Sequence, residues 1–220
     1  MRGTMKNIVC LISGRGTNLA ALLTAARVER WVQTCDAQVV AVISNRPDAA
    51  GLAIARAEGV PTQVIAHADY PSRDAFDHAL MQAIDAHRPA LVVLAGFMRV
   101  LTRQFVGHYA GRLVNIHPSL LPAFPGLATH RQALAAGVRV HGATVHFVSH
   151  EVDGGAIIAQ AAVPVRVSDT EESLAARVLE QEHRLLPRCV RLLLEGVVQL
   201  KDGRAQVAPG HDAELALGAW

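Results

Sequence analysis

Asn7-Ile-Val-Cys-Leu-Ile-Ser13-Gly14-Arg15-Gly16-Thr17-Asn18 is the stretch whose reading decides the fold. The run from Asn7 to Ser13 is short and apolar, as expected of a strand buried on both faces. It breaks into a glycine-bearing loop, and from about Leu19 to Arg30 an Ala/Leu-rich helix follows. The alternation then repeats. Val39 to Ile43 reads as a second buried strand, followed by the loop Ser44-Asn-Arg-Pro-Asp48. Asp48 is placed to cap a helix that runs to about Glu58 and closes at Gly59. Thr62 to Ile65 is a third strand. Pro71 to His87 has helical spacing, with Phe76, Leu80, Met81 and Ile84 along one side and Pro71 or Ser72 near its start. Pro89 forces an exit into the strand Leu91 to Ala95. After Gly96, the loop Phe97-Met-Arg-Val100 and a short helical piece lead to the strand Leu113 to His117.

Strands alternating with helices at this interval imply a parallel sheet with right-handed crossovers. Thr129 to Ala136 reads as a helix, and the pattern changes at His141. Ala143 to Val148 is a strand, Asp153-Gly154-Gly155 a turn, and Ala156 to Val165 a second strand, so the two form an antiparallel hairpin. Ser168-Asp169-Thr170 opens a long helix from Ser173 to about Leu194, in which Pro187 is expected to cause a kink or a break. Lys201-Asp-Gly-Arg204 signals a last small hairpin, and the tail beyond Pro209 is expected to be loose. The expected class is therefore α/β: a Rossmann-like three-layer open sheet, mostly parallel, with an antiparallel C-terminal hairpin portion. No internal repeat, linker or low-complexity segment interrupts it, which makes residues 1–220 one domain.

At 220 residues such a domain buries roughly 70% of its unfolded surface, so no disulfide or metal staple is needed. Cys10, Cys35 and Cys189 are far apart and form no CxxC, which suits a reducing compartment. The first six residues are too short and polar for a signal peptide, and no apolar run has membrane-spanning length. Met5 is a candidate natural start, which would make the first four residues an extension. A formal charge of +2 and 4% aromatics, without an interleaved basic patch, give no sign of a nucleic-acid partner. Soluble, globular and cytoplasmic, with neither a membrane nor a nucleic-acid partner, is the expectation.

Three places carry chemistry. Asn115 and His117 lie two apart on a strand, so both point the same way at its carboxyl end, where open α/β sheets bind ligands. An amide donor beside an imidazole suits a carbonyl carbon that becomes tetrahedral and puts charge on oxygen. The plainer alternative is a polar strand end with two satisfied side chains. The Gly14-to-Asn18 loop joins a strand to a helix, where backbone N–H groups form an anion site. Leu19 occupies the third glycine position of a dinucleotide fingerprint, and no Gly-Lys-Ser/Thr follows, so a phosphate monoester is the better guest. A Cβ at Gly16 would then obstruct the anion, and capping by Thr17 or Asn18 is the alternative. Asp153, in the turn, serves local hydrogen bonding or else aligns an imidazole and accepts a proton from an attacking amine. A metal is not indicated. His146 and His150 share a strand face and His141 lies on the other, with no carboxylate at ligand spacing. Ser119 lacks the Gly-x-Ser-x-Gly elbow, and Cys10 is inert packing.

These motifs together resemble the folate-dependent formyltransferases. The resemblance rests on Ser-Gly-x-Gly-Thr-Asn at 13–18, Leu-Ala-Gly-Phe-Met-Arg at 94–99, Asn-Ile-His-Pro-Ser-Leu-Leu-Pro at 115–122 and Val-Asp-Gly-Gly at 152–155. It runs from about Asn7 to past Glu182, and the glycine loop is what points to the glycinamide-ribonucleotide branch. It implies direct formyl transfer from 10-formyltetrahydrofolate, a co-substrate, to the amine of glycinamide ribonucleotide, with no metal. The catalytic trio falls on Asn115, His117 and Asp153. Gly16, Thr17 and Asn18 would hold the phosphate and Glu182 the sugar end. Arg73 and Met98, Arg99, Val100 and Leu101 would flank the folate. The segment from His141 to Asp153 would wrap its pterin, with Asn115 also in contact. Residues 1–110 become a phosphate-binding half, 111–200 a catalytic and folate-binding half, and 201–220 a tail. The enzyme is expected to act on small molecules as a monomer or homodimer. Thr17 stands where the family often has Ser, and Ala123 where a basic residue is frequent.

Within that superfamily, transfer-RNA formyltransferases add a C-terminal domain and formyltetrahydrofolate hydrolases an N-terminal one, and neither extension fits this length. Outside it, a reductase using Gly14, Gly16 and Arg46 meets the missing third glycine, and a non-catalytic nucleotide-binding module is the third alternative.

Overall fold

The computed structural model describes residues 4–211 and 215–218. The expectations for residues 1–3, and for 212–214 and 219–220 of the tail, lie outside the described residues. The chain divides into two compact units, one ending at Asn115 and the other beginning at Ile116.

In the first unit, β1 (Lys6–Ile12) leads to α1 (Thr17–Val28), a short α2 (Trp31–Thr34) and β2 (Ala37–Ser44). Then come α3 (Gly51–Ala57), β3 (Thr62–Val64), a 3-10 turn at His67–Asp69, α4 (Arg73–Asp85), β4 (Pro89–Leu94), α5 (Arg103–His108) and β5 (Leu113–His117). The strand order is β5-β4-β1-β2-β3, and every pairing is parallel. β1 is central, and Ile8 to Ile12 have no exposed surface, as the apolar run requires. Burial pushes the Cys10 thiol up to about 12, which keeps it a packing residue. Ser72 caps α4 by accepting from the Ala75 N–H. Gly59, in the left-handed region at φ 72°, closes α3. Asp48 does not cap α3. Its carboxylate pairs with the Arg46 guanidinium at 2.7 and 3.0 Å, and Ala50 stands at the cap.

In the second unit, α6 (Thr129–Ala135), β6 (Val140–Phe147), β7 (Ile157–Pro164) and α7 (Glu171–Leu194) follow β5, and then β8 (Val198–Lys201), β9 (Arg204–Val207) and β10 (Ala216–Gly218). The strand order is β5-β6-β7-β10, with β6 and β7 antiparallel, and β8 pairs with β9 in a separate hairpin. Asp202 and Gly203 supply the two positive-φ residues its tight turn demands. The expected class holds: an α/β, Rossmann-like, mostly parallel sheet with an antiparallel C-terminal portion.

Two further expectations are corrected in this unit. Ala216–Gly218 is not loose but adds a parallel strand to Gln160–Ala162, satisfying ladder groups on the outer edge of β7. Pro187 does not interrupt α7, which runs 24 residues with Pro187 inside it. The ring removes only the bond to the His183 carbonyl, and the stripe Leu174, Val178, Leu185, Leu186 and Val190 is buried on either side of it.

Candidate active site

β5 ends at His117 because Pro118 has no N–H to continue the ladder. Asn115, half-buried, and His117, 5% exposed, share one face of that strand. The His117 ring sits between two acceptors: Nδ1 lies 3.3 Å from Asp153 Oδ2, and Nε2 lies 3.0 Å from the Phe124 carbonyl oxygen. A carboxylate and a carbonyl only accept, so the ring satisfies both when each nitrogen carries a proton.

Asp153 owes its place to the turn. It adopts a left-handed φ of 54°, which Asp tolerates better than most residues. Gly155 beside it has no room for a Cβ, which would collide with the Phe147 carbonyl. The Asp153 carboxylate is held by the Gly126 N–H, which donates to Oδ2 at 2.8 Å, while His146 Nε2 lies 3.7 Å from Oδ1. His146 donates from Nδ1 to the Phe147 carbonyl at 2.9 Å, which fixes its tautomer. Burial pushes His146 below the ordinary imidazole range, against the opposing pull of the Phe147 carbonyl and Asp153. A neutral His146 therefore turns an acceptor nitrogen toward Asp153.

The loop from Pro118 to Gly126 is stitched down by side chains. Thr129 Oγ1 donates to the Pro118 carbonyl at 2.7 Å, and Ser119 Oγ to the Ala123 carbonyl at 2.6 Å. Thr144 Oγ1 donates to the Ser119 carbonyl at 2.7 Å and accepts from the Leu121 N–H at 3.0 Å. Ser119 is thus a loop clamp, consistent with its missing elbow. His141 is fully enclosed, its ring 5.3 Å from that of His130 and 5.9 Å from that of Phe124. Neither ring nitrogen makes a hydrogen bond of ordinary geometry, and burial pushes the imidazole down to about 4, with the Pro118 carbonyl pulling weakly the other way. Its ring presents nothing to a ligand, so any part His141 plays toward a folate runs through backbone and packing. His150 lies beyond the end of β6 and is exposed, so it shares no strand face with His146. Among the described residues no three metal-ligating side chains converge.

In the first unit, Gly16 is the N-cap of α1, at φ 76°, and no side chain caps that helix. Thr17 and Asn18 lie in its first turn, and Gly16 stands at the cap position itself. The glycine itself has a structural cause as well: a Cβ at residue 16 would collide with Gly51 Cα, where the loop packs on the start of α3. A substitution there reports on that packing before it reports on an anion. At Gly14, exposed, a Cβ would meet nothing within 4 Å. Arg73 opens α4 and is exposed, Met98 and Val100 are 69% and 52% exposed, and Arg99 and Leu101 are half-buried. In the second unit, Glu182 is buried in α7.

The structure thus brings His117 and Asp153 together, with Asn115 two residues away on the same strand face. It adds His146, Phe124 and Gly126, which the sequence alone did not single out for this role. The hairpin reading held the clue for His146. Pairing 143–148 with 156–165 sets its imidazole near the turn that carries Asp153.

A parallel α/β sheet with an Asn-x-His pair at a strand end and an acidic glycine turn beside it defines the class. The chain belongs to the formyl transferase family, whose model matches residues 6–190. It is 48% identical to phosphoribosylglycinamide formyltransferase of Escherichia coli (strain K12), over 90% of this chain and 92% of that one. It is likewise 48% identical to the trifunctional purine biosynthetic protein adenosine-3 of Gallus gallus, over 88% of this chain but 19% of that longer protein. Among solved structures, glycinamide ribonucleotide transformylase 1 from Symbiobacterium toebii superposes with a TM-score of 0.88 at 48% identity, covering 94% of this chain and 95% of the other. A formyltetrahydrofolate deformylase from Pseudomonas syringae superposes at 0.84 with 29% identity, over 93% of this chain and 66% of that one. The resemblance read from the motifs is borne out, and the protein is an enzyme of the formyltransferase class. No helix among the described residues is long and apolar enough to cross a membrane.

Proposed function

We propose that this enzyme transfers the formyl group of 10-formyltetrahydrofolate to the amine of 5'-phosphoribosylglycinamide, a step of de novo purine biosynthesis. The observation that carries the reading is the buried His117–Asp153 pair at 3.3 Å, two residues along the strand from Asn115. The amine lone pair attacks the formyl carbon, and the carbonyl π pair moves onto oxygen. The Asn115 amide and the doubly protonated His117 ring donate to that oxyanion. For His117 this means exchanging the Phe124 carbonyl at Nε2 for the substrate oxygen, one acceptor for another. Asp153 takes the proton shed by the amine, directly or through water, with the His146 acceptor nitrogen behind it. Collapse of the intermediate re-forms the carbonyl, breaks the bond to the folate N10, and returns a proton to that nitrogen.

Gly16, Thr17 and Asn18, at the uncapped start of α1, take the ribonucleotide phosphate, and Glu182 its sugar end. Arg73 and the Met98–Leu101 loop lie along the folate, with the backbone of the His141–Asp153 segment around its pterin. Residues 1–110 and 111–200 act as the two halves of one catalytic domain, in the cytoplasm, as a monomer or homodimer, and no metal enters the reaction.

A deformylase reading, in which water replaces the amine, has the likeness to the Pseudomonas syringae protein behind it. Incubation with 10-formyltetrahydrofolate, with and without glycinamide ribonucleotide, separates the two by the absorbance of deformylated folate. Turnover that requires the ribonucleotide is expected, whereas equal turnover without it would establish the deformylase.

A further inference from the structure

The residue just past β1, Ser13, makes three bonds that the catalytic account does not use. Its N–H donates to the Gly96 carbonyl at 3.1 Å. Its Oγ accepts from the Met98 N–H at 2.7 Å and donates to Asn45 Oδ1 at 2.6 Å. Ser13 and Asn45 are both buried. A carboxamide oxygen only accepts, so Asn45 takes the hydroxyl proton and turns the Ser13 lone pairs toward Met98. His67 Nδ1 lies 3.0 Å from the Asn45 carbonyl oxygen and 3.1 Å from Asn45 Nδ2; it donates to the first or accepts from the second, and either bond ties Asn45 to the turn at His67. At the far end of the same loop, the Thr102 N–H donates to the buried carboxylate of Asp77 at 2.6 Å. Residues 96–102 carry no regular secondary structure, so these bonds fix their course. Between the two anchors Met98 and Val100 face outward.

We propose that Ser13 is a positioning residue for the formyl donor: its hydroxyl sets the backbone of loop 96–102 against which the folate lies. The inference rests on the formyl-transfer reading, in which that loop flanks the donor. Ser13 also leads directly into the Gly14–Asn18 anion loop, but its side chain is committed to the other loop, so donor and acceptor affinities part company when it is removed.

The test compares wild type with Ser13→Ala, using calorimetric titration of 10-formyltetrahydrofolate and, separately, of glycinamide ribonucleotide, together with amide hydrogen exchange. Ser13→Ala leaves the Met98 N–H without its acceptor, so that amide should exchange about tenfold faster while the Thr102 amide, held by Asp77, stays unchanged. Donor affinity should fall about tenfold, with ribonucleotide affinity within about twofold of wild type. Ser13→Thr, which keeps the hydroxyl, should restore both readouts. Should Ser13→Ala not fold, Ser13→Cys keeps the volume with a weak acceptor and should show the same split. Unchanged donor affinity in a folded variant overturns the proposal, as does an equal loss for both substrates, which would mean general loosening. A wild-type protein that binds no donor would instead overturn the formyl-transfer reading, and this inference with it.

Discussion

Replacing Asp153 by Asn removes one charge and almost no volume. The structure says how the variant sits: an amide oxygen can still accept the Gly126 N–H, and the amide nitrogen can face His146 Nε2. The fold should therefore survive, with a melting temperature close to wild type. What is lost is the carboxylate 3.3 Å from His117 Nδ1, at side chains 11% and 6% exposed. At an effective dielectric of about 20 a charge pair at that distance interacts by about 5 kcal/mol, and desolvation of the ions cancels a good part of it. A net loss of about 2–4 kcal/mol corresponds to roughly 30- to 1000-fold in rate. It should appear in kcat, because both roles proposed for Asp153, aligning the ring and taking the amine proton, belong to the chemical step. The assay is steady-state kinetics on Asp153→Asn, His117→Asn and the double variant. Residues that act as a unit are not lost twice, so the double variant should be little slower than the worse single one. A kcat within twofold of wild type for Asp153→Asn, or rate losses that multiply in the double variant, would refute the reasoning and leave Asp153 a turn residue.

Asn115→Ala should cost about 3 kcal/mol of barrier, again in kcat, and a normal kcat with weaker donor binding would reassign Asn115 to positioning. Gly14→Val, at an open site, should fold normally and raise KM for the ribonucleotide alone, whereas Gly16→Val should first lower the melting temperature through its clash with Gly51. Equal stability of the two variants would contradict the packing argument. Gly155→Ala should destabilise by more than about 3 kcal/mol in denaturant unfolding, since its Cβ meets the Phe147 carbonyl. The buried His141 gives a pH dependence of definite sign. Its imidazole sits at about 4 when folded, against about 6.5 when unfolded, so the stability it contributes is fully present above about pH 6.5 and is lost as pH falls toward 4. The contribution is about 3 kcal/mol, and His141→Phe should flatten the fall in melting temperature across that window, while an unchanged slope would place the acid sensitivity elsewhere.

The fold was largely legible because each segment carries its own period and punctuation. Ile8–Ile12 could only be a strand buried on both faces, and Gly59, Ser72 and Asp202-Gly203 mark ends and turns whose chemistry is local. What escaped was decided at long range. Ala216–Gly218 is three residues with no pattern of its own, and it is a strand only because β7 offers an edge. Asp48 reads as a cap until Arg46, two residues away, takes both its oxygens. Pro187 reads as a break until the burial along α7 outweighs one missing hydrogen bond. The site divides the same way. Asn115 and His117 share a face by the alternation of a strand, so one was enough to find the other. That Asp153 meets His117 depends on how the hairpin folds back over β5, and spacing carries no such information; the hairpin pairing brings His146 only as far as Asp153. The glycine at 16 suggests an anion site in the sequence, and the backbone of Gly51 against it is a packing reason that spacing does not reveal.

The central claim is direct transfer from donor to amine at the Asn115–His117–Asp153 constellation, with no free formate. The decisive measurement uses 10-formyltetrahydrofolate labelled with carbon-13 in the formyl group, glycinamide ribonucleotide, and an excess of unlabelled formate, followed by carbon NMR. The account predicts that the label appears undiluted in a formamide on the ribonucleotide, one for each folate released. Label accumulating as formate, or product diluted by the unlabelled pool, would contradict it.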